Sequence, residues 1–136
     1  MGVGITSCIG IAKAEYGCPY ADFEAKGLVT DEDGQPIPGI RVVMSADYPN
    51  QSIQGPTDTL WTGNDGSYRY VPLDYGPDYP YMESIRFEFT DVDGEANGGD
   101  FADVDVEVPV FQVKPGDGNW YDGAYEAGVD VTMFKK

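Results

Sequence analysis

Hydrophobic and polar residues alternate along this chain in short runs, and no segment of useful length follows the helical period. The clearest run is Asp103 to Val110, where Val104, Val106 and Val108 alternate with Asp103, Asp105 and Glu107. Period-2 alternation with carboxylates on one side predicts a strand with one wet face. Glu83 to Asp91 repeats the pattern, with Ile85, Phe87 and Phe89 against Ser84, Arg86 and Glu88. Ile40 to Ala46 places Ile40, Val42 and Met44 on one face. Ser67 to Leu73 does the same with Tyr68 and Tyr70, and Pro72 limits its inner length. Runs at Asp22 to Thr30, Asp58 to Thr62 around Trp61, and Val129 to Phe134 bring the total to about seven strands.

Turn signals separate these runs. In Gly27 to Met44, two apolar stretches flank Asp33-Gly34, Pro36, Pro38 and Gly39. Asp-Gly between strand-like runs predicts a hairpin, because glycine takes a positive φ at no steric cost. Gly63-Asn64-Asp65-Gly66 predicts a second tight turn. Longer polar connections are expected at 47–56, 74–81, 92–100 and 112–127. The pattern predicts an all-β protein, a two-sheet antiparallel β-sandwich with little or no helix.

Composition narrows the function classes. At 136 residues the chain is long enough for one domain with a real core. Its 24 acidic and 8 basic residues give a net charge of −16, which repels nucleic acid and anionic headgroups, so neither is expected as a partner. That field favours cations, basic peptides or plain solubility. The chain has no histidine, which removes Ser-His-Asp and Cys-His nucleophilic systems and every histidine-ligated metal site. No run approaches the ~20 apolar residues of a membrane-spanning helix. No catalytic constellation stands out, so a protein without enzymatic activity and without a cofactor is expected.

The first twenty residues read differently. Ile5-Thr6-Ser7-Cys8 resembles a bacterial lipobox, in which an aliphatic residue and two small ones precede the lipidated cysteine. The apolar stretch that normally lies before a lipobox is mostly missing, so the natural chain is expected to begin earlier. On this reading Cys8 is the lipid attachment site, 1–20 is a lipobox remnant and tether, and 21–136 is one sandwich domain. The competing reading pairs Cys8 with Cys18 in a disulfide in an oxidising compartment.

Three stretches carry a family resemblance. Gly27-Leu28-Val29-Thr30-Asp31, Asp33-Gly34 and Pro36-Ile37-Pro38-Gly39-Ile40 open it. Thr62-Gly63-Asn64-Asp65-Gly66-Ser67-Tyr68 follows, and Val129-Asp130-Val131 closes it. This order resembles carboxypeptidase regulatory-like domains, which are transthyretin-like (prealbumin-like) β-sandwiches. Tyr16-Gly17, Pro19-Tyr20-Ala21-Asp22-Phe23 after a lipobox is similar to the small lipoproteins associated with radical-SAM proteins in Bacteroides-type bacteria. The first resemblance implies a transthyretin-like or immunoglobulin-like sandwich. The second implies an association with a radical-SAM system and gives no residue a chemical role.

Two kinds of site suggest themselves. Tyr75, Tyr79 and Tyr81, or Trp120, Tyr121 and Tyr125, could build an aromatic platform for a sugar or peptide. Their simpler use is packing over the ends of the sandwich. Asp91, Asp93, Glu95 and Asp100 could wrap a calcium ion, but Ala96 and Ala102 stand at the sixth and twelfth loop positions, so the EF-hand pattern fails and no metal site is expected. The expected function is that of a lipid-anchored accessory or binding protein of the bacterial cell envelope. It would be an outer-membrane lipoprotein, facing the periplasm or the surface, that presents loops to an envelope protein, peptide or glycan. The membrane would be met through the lipid only. The alternative is a secreted or periplasmic carbohydrate- or peptide-binding module, calcium-dependent or not.

Overall fold

A computed structural model describes residues 20–46, 55–72, 79–94 and 99–136. Nine strands follow one another: β1 (Tyr20–Thr30), β2 (Ile40–Ser45), β3 (Thr57–Trp61), β4 (Ser67–Tyr70), β5 (Ser84–Asp91), β6 (Val104–Pro109), β7 (Phe111–Pro115), β8 (Tyr121–Ala127) and β9 (Val131–Thr132). A single turn of 3-10 helix, Tyr79–Tyr81, precedes β5. One sheet has the order β3-β2-β5-β6, and the other has β4-β1-β8-β7 with β9 also on β1. The chain is a two-sheet β-sandwich, as its alternation predicts.

The strands with sharp alternation form the four-stranded sheet. β2, β5 and β6 pair antiparallel, with Val42 opposite Phe89 and Phe87 opposite Val106. Ile40, Val42, Met44, Ile85, Phe87 and Phe89 point into the core and are almost fully buried. Burying one such side chain contributes roughly 1.5–3 kcal/mol, which is why the alternation fixes the register.

The five-stranded sheet departs from expectation in two ways. Two strands, β7 and β8, occupy most of 112–127, where the sequence predicts only a glycine-rich connection. The sheet is also mixed, because β1 pairs parallel with β8 and with β9 and antiparallel with β4. β8 lines β1 from Tyr20 to Ala25, and β9 resumes at Val29.

The break between β8 and β9 is closed by side chains. Tyr68 on β4 stands opposite Gly27. With no side chain on Gly27, the Tyr68 ring crosses β1 and reaches the far edge. Its hydroxyl donates to the Val129 carbonyl at 2.7 Å and accepts from the Val129 N–H at 3.0 Å. A Cβ on Gly27 would overlap both the Val129 carbonyl oxygen and the Tyr68 hydroxyl. Asp130 accepts from the Leu28 N–H at 3.0 Å, which satisfies β1 in the same gap. The same Tyr68 ring meets Phe89 edge-on at 5.6 Å and Phe87 at 6.0 Å, so it also joins the two sheets.

The other motif residues build turns. Asp31 accepts from the N–H groups of Asp33 and Gln35 at 2.8 and 2.9 Å, and Gly34 takes φ 81°. Asp31 thereby shapes an Asx turn closed by a single bridge from Thr30 to Pro36, but β1 and β2 lie in different sheets, so the hairpin expected between the two runs of Gly27 to Met44 does not form. Thr62 is buried: its hydroxyl donates to the Ile37 carbonyl at 2.7 Å and accepts from the Ile40 N–H at 2.9 Å. The threonine that opens one motif therefore fastens the proline-rich arm of another.

Tyr68→Phe removes the hydroxyl and leaves the Val129 backbone groups unpaired. It is expected to destabilise the fold by roughly 1–3 kcal/mol in urea unfolding. Burial pushes the Tyr68 phenol from 10.0 to about 12. The folded state therefore holds this proton more tightly than the unfolded chain. The resulting stabilisation is complete below pH 10 and is lost as pH rises towards 12. An unchanged urea midpoint in Tyr68→Phe would contradict the role given to this hydroxyl.

Candidate functional site

The aromatic residues singled out in the sequence fall into three environments. Tyr79 is fully buried: its ring stacks on Phe23 at 5.4 Å and meets Tyr70 edge-on at 5.8 Å. Its hydroxyl donates to Asp58 at 2.7 Å. Burial and the Asp58 carboxylate push the phenol far above its ordinary range. Tyr70, beside it, is pushed up to about 12, by burial first and then by Asp58. Tyr79 is therefore a core residue and not part of a ligand platform, because no face of its ring reaches solvent. Tyr75 and Cys8 lie outside the described residues, as does Cys18.

Tyr81, Trp120 and Tyr121 gather where β8 begins. The turn before β8 is shaped by Asp117, which accepts from the N–H groups of Asn119 at 2.8 Å and Tyr121 at 3.3 Å. The Trp120 carbonyl accepts from the Tyr20 N–H at 2.9 Å, so this turn fastens the start of β1. β1 begins at Tyr20, which the sequence reading placed in the tether. Trp120 and Tyr81 are 42% and 40% exposed, enough to offer ring faces to a partner.

These aromatics do not make one flat platform. Tyr121 lies beside Tyr20 with ring centroids 5.2 Å apart, and its hydroxyl donates to Asp22 at 3.0 Å. The Lys114 ammonium sits 5.5 Å from the Tyr121 ring centre, on the outer face of the sheet. Neighbouring strand residues point to opposite faces, so Asp122 points the other way and takes the Tyr81 hydroxyl at 2.8 Å. Desolvation, then the bond to Asp22, raises the Tyr121 phenol above its ordinary value. Tyr125 turns its hydroxyl back onto the Asp122 carbonyl at 3.3 Å. The result is a rim of aromatic rings divided by β8 and edged by Asp22, Asp117 and Asp122. Tyr20, Lys114, Asp22 and Asp122 were not foreseen; the adjacency of Tyr20 to Asp22 and of Tyr121 to Asp122 was the only signal in the sequence.

Asp91, where β5 runs into the acidic loop, turns its carboxylate to nearby backbone, and Asp100 pairs with Lys136 at 3.6 Å. Asp91 accepts from the Asp93 N–H at 3.2 Å and from the Phe101 N–H at 3.1 Å. Desolvation, then the neighbouring Asp93, raises the Asp91 carboxyl above its ordinary value. Among the described residues no three of His, Cys, Asp and Glu stand close enough to share a metal ion. Elsewhere on the outer face, Glu24 is held below its ordinary range by its hydrogen bond with Arg69.

No family model matches the chain, and no curated protein matches it. Solved structures do resemble it. Hydroxyquinol 1,2-dioxygenase from Pseudomonas putida DLL-E4 is 11% identical with a TM-score of 0.55, covering 85% of this chain and 57% of its own. Catechol 1,2-dioxygenase from Pseudomonas arvilla C-1 is 13% identical with a TM-score of 0.54, covering 88% of this chain and 58% of its own. The dioxygenase domain of a dioxygenase carbohydrate-binding protein fusion from Streptomyces sp. SirexAA-E is 13% identical with a TM-score of 0.51, covering 87% and 82%. The chain spans less than three fifths of the length of the first two.

These likenesses correct the expectation of a protein without enzymatic activity. That expectation rested on the lack of a catalytic constellation in the sequence, and the sandwiches this chain resembles belong to 1,2-dioxygenases. At such identities the likeness shows the fold alone, and no reaction comes with it. This chain has no histidine, so its residues do not offer the imidazole ligands on which non-haem oxygenase iron relies. What the fold supplies here is a two-sheet β-sandwich.

Proposed function

We propose that this chain is a binding module of the bacterial cell envelope, and that its aromatic and acidic rim receives a basic segment of a protein or peptide partner. The observation that carries this is the grouping of exposed Trp120 and Tyr81 with Tyr20 and Tyr121 among Asp22, Asp117 and Asp122. Aromatic rings offer large contact area and attract cations to their faces, while the carboxylates attract the same cations at longer range. The net charge of −16 steers a basic partner in the same sense. The resemblance to carboxypeptidase regulatory-like, transthyretin-like domains agrees with a module that presents its ends to other molecules.

The envelope location rests on the lipobox-like stretch at 5–8, which makes Cys8 the lipid attachment site of an outer-membrane lipoprotein. The narrower likeness to lipoproteins associated with radical-SAM proteins supports the same location and an association with such a system.

Two experiments test the reading. In a Trp61→Phe background, Trp120 is the single tryptophan. A lysine-rich peptide is expected to shift its emission saturably, with affinity falling as salt rises. Asp22→Asn with Asp122→Asn should weaken that binding roughly tenfold. Asp105→Asn with Glu107→Gln, on the other sheet, should leave it nearly unchanged. No emission change, or equal weakening by both pairs, would contradict the rim. For the anchor, the intact mass of protein from membrane fractions is expected to carry a diacylglyceryl group on Cys8. A loss of two protons and no added lipid would instead support a disulfide with Cys18.

A further inference from the structure

The outermost strands of the two sheets are β3 and β6 in one and β4 and β7 in the other. An edge strand presents unpaired N–H and C=O groups that template pairing with another chain, unless charge, proline or a bulge blunts it. β6 is blunted by Asp105, Glu107 and Pro109. β7 carries Lys114 and Pro115, and its register shifts between Gln112 and Lys114. β4 carries Arg69, and the turn before it takes both backbone groups of Ser67. The Ser67 N–H donates to Asp65 at 3.0 Å, and its carbonyl accepts from the Gly63 N–H at 2.9 Å.

β3 lacks these devices. It reads Thr57-Asp58-Thr59-Leu60-Trp61, with no proline, basic residue or register shift, and among the described residues it pairs with β2 alone. Its one charged residue, Asp58, accepts from the buried Tyr79 hydroxyl at 2.7 Å and is occupied within its own fold. The backbone parity is set at both ends of the strand. The Pro56 carbonyl accepts from the Ala46 N–H at 3.1 Å, and the Thr62 N–H donates to the Ile40 carbonyl at 3.0 Å. The even-numbered residues therefore face β2, and Thr57, Thr59 and Trp61 turn their N–H and C=O groups to the open edge. Their side chains are exposed, while Leu60 packs on the core. Trp61 is 54% exposed, and Arg41 borders it on the β2 side with its Nε buried and without a hydrogen-bond partner. In a chain of net charge −16, this edge is an uncharged row of two threonines and a tryptophan.

We propose that two copies of this chain pair antiparallel along β3, which joins their four-stranded sheets into one. The edge is its own complement. With Thr59 on the two-fold axis, Thr57 of each copy stands opposite Trp61 of the other, and the open N–H and C=O groups of all three residues find partners. The same register lays a threonine of one copy beside the indole of the other, and no like charges stand opposite one another. A charged peptide finds nothing on this row to select it, whereas a second uncharged row matches it. What opposes the pairing is the long-range repulsion between two chains of net charge −16, and salt screens it. This interface lies apart from the rim and stands or falls without it.

Sedimentation equilibrium of the full chain up to about 1 mM, in low and in high salt, tests this. A monomer–dimer equilibrium is expected, with the dimer rising as salt rises. A Trp120→Phe variant leaves Trp61 as the single tryptophan, and its emission should blue-shift in step with dimer formation. Thr59→Pro removes the central edge donor where an edge strand tolerates proline, and should weaken dimerisation about tenfold or more. Thr59→Lys sets two ammonium groups against each other across the axis and should do the same. It carries the test if the proline variant lowers the urea midpoint. Val113→Lys on β7 adds the same charge elsewhere and should leave dimerisation nearly unchanged. The proposal is overturned if the chain stays monomeric at about 1 mM in high salt, or if association weakens as salt rises. It is also overturned if Trp61 emission does not follow dimer formation, or if Thr59→Lys weakens the dimer no more than Val113→Lys does.

Discussion

Tyr68 acts at the point where backbone pairing cannot complete the sheet. β8 and β9 approach the same edge of β1 but leave Gly128 to Asp130 between them. A gap of this kind exposes N–H and C=O groups that cost free energy if buried unpaired. The Tyr68 hydroxyl supplies both a donor and an acceptor to Val129, and Asp130 supplies an acceptor to Leu28. The geometry works only because residue 27 has no side chain, so an aromatic ring on β4 can cross β1 without obstruction. The ring then continues into the core against Phe87 and Phe89. One residue thereby links the first strand, the last strand and the opposite sheet. The three stretches that stand out in the sequence, 27–40, 62–68 and 129–131, each contribute one partner: Gly27, Tyr68 and Val129.

The two sheets present different chemistry to solvent. The face of the five-stranded sheet holds tyrosines bonded to aspartates at one end and the pairs of Glu24 with Lys26 and Arg69 further along. The face of the four-stranded sheet holds an exposed indole beside an unmatched guanidinium. The first face thus shows phenols bonded to carboxylates, and the second a half-exposed ring next to a desolvated donor.

The legible parts of the sequence were those with strong contrast between neighbours. Valine against aspartate in β6, and phenylalanine against arginine and glutamate in β5, leave one register. β7 and β8 were illegible for the opposite reason. Gly123, Ala124 and Ala127 contribute little apolar contrast, and Phe111 and Val113 lie exposed on an edge strand. The fate of Tyr79 was hidden as well. It and Tyr81 share one Tyr-Pro-Tyr segment, and what separates them is contact with Phe23 and Asp58, both distant in sequence. Arg41 looked like any outward residue of an alternating strand. Its lack of an acceptor emerges only when the neighbouring strands are in place.

The central claim is that the Tyr68 hydroxyl makes the β8–β9 junction part of the cooperative core. Native-state hydrogen exchange at the Val129 amide measures this directly. The account predicts that this amide exchanges only through global unfolding, with the same opening free energy as the Phe87 amide in the centre of β5. Exchange of Val129 through a local opening, several kcal/mol below that of Phe87, would contradict it.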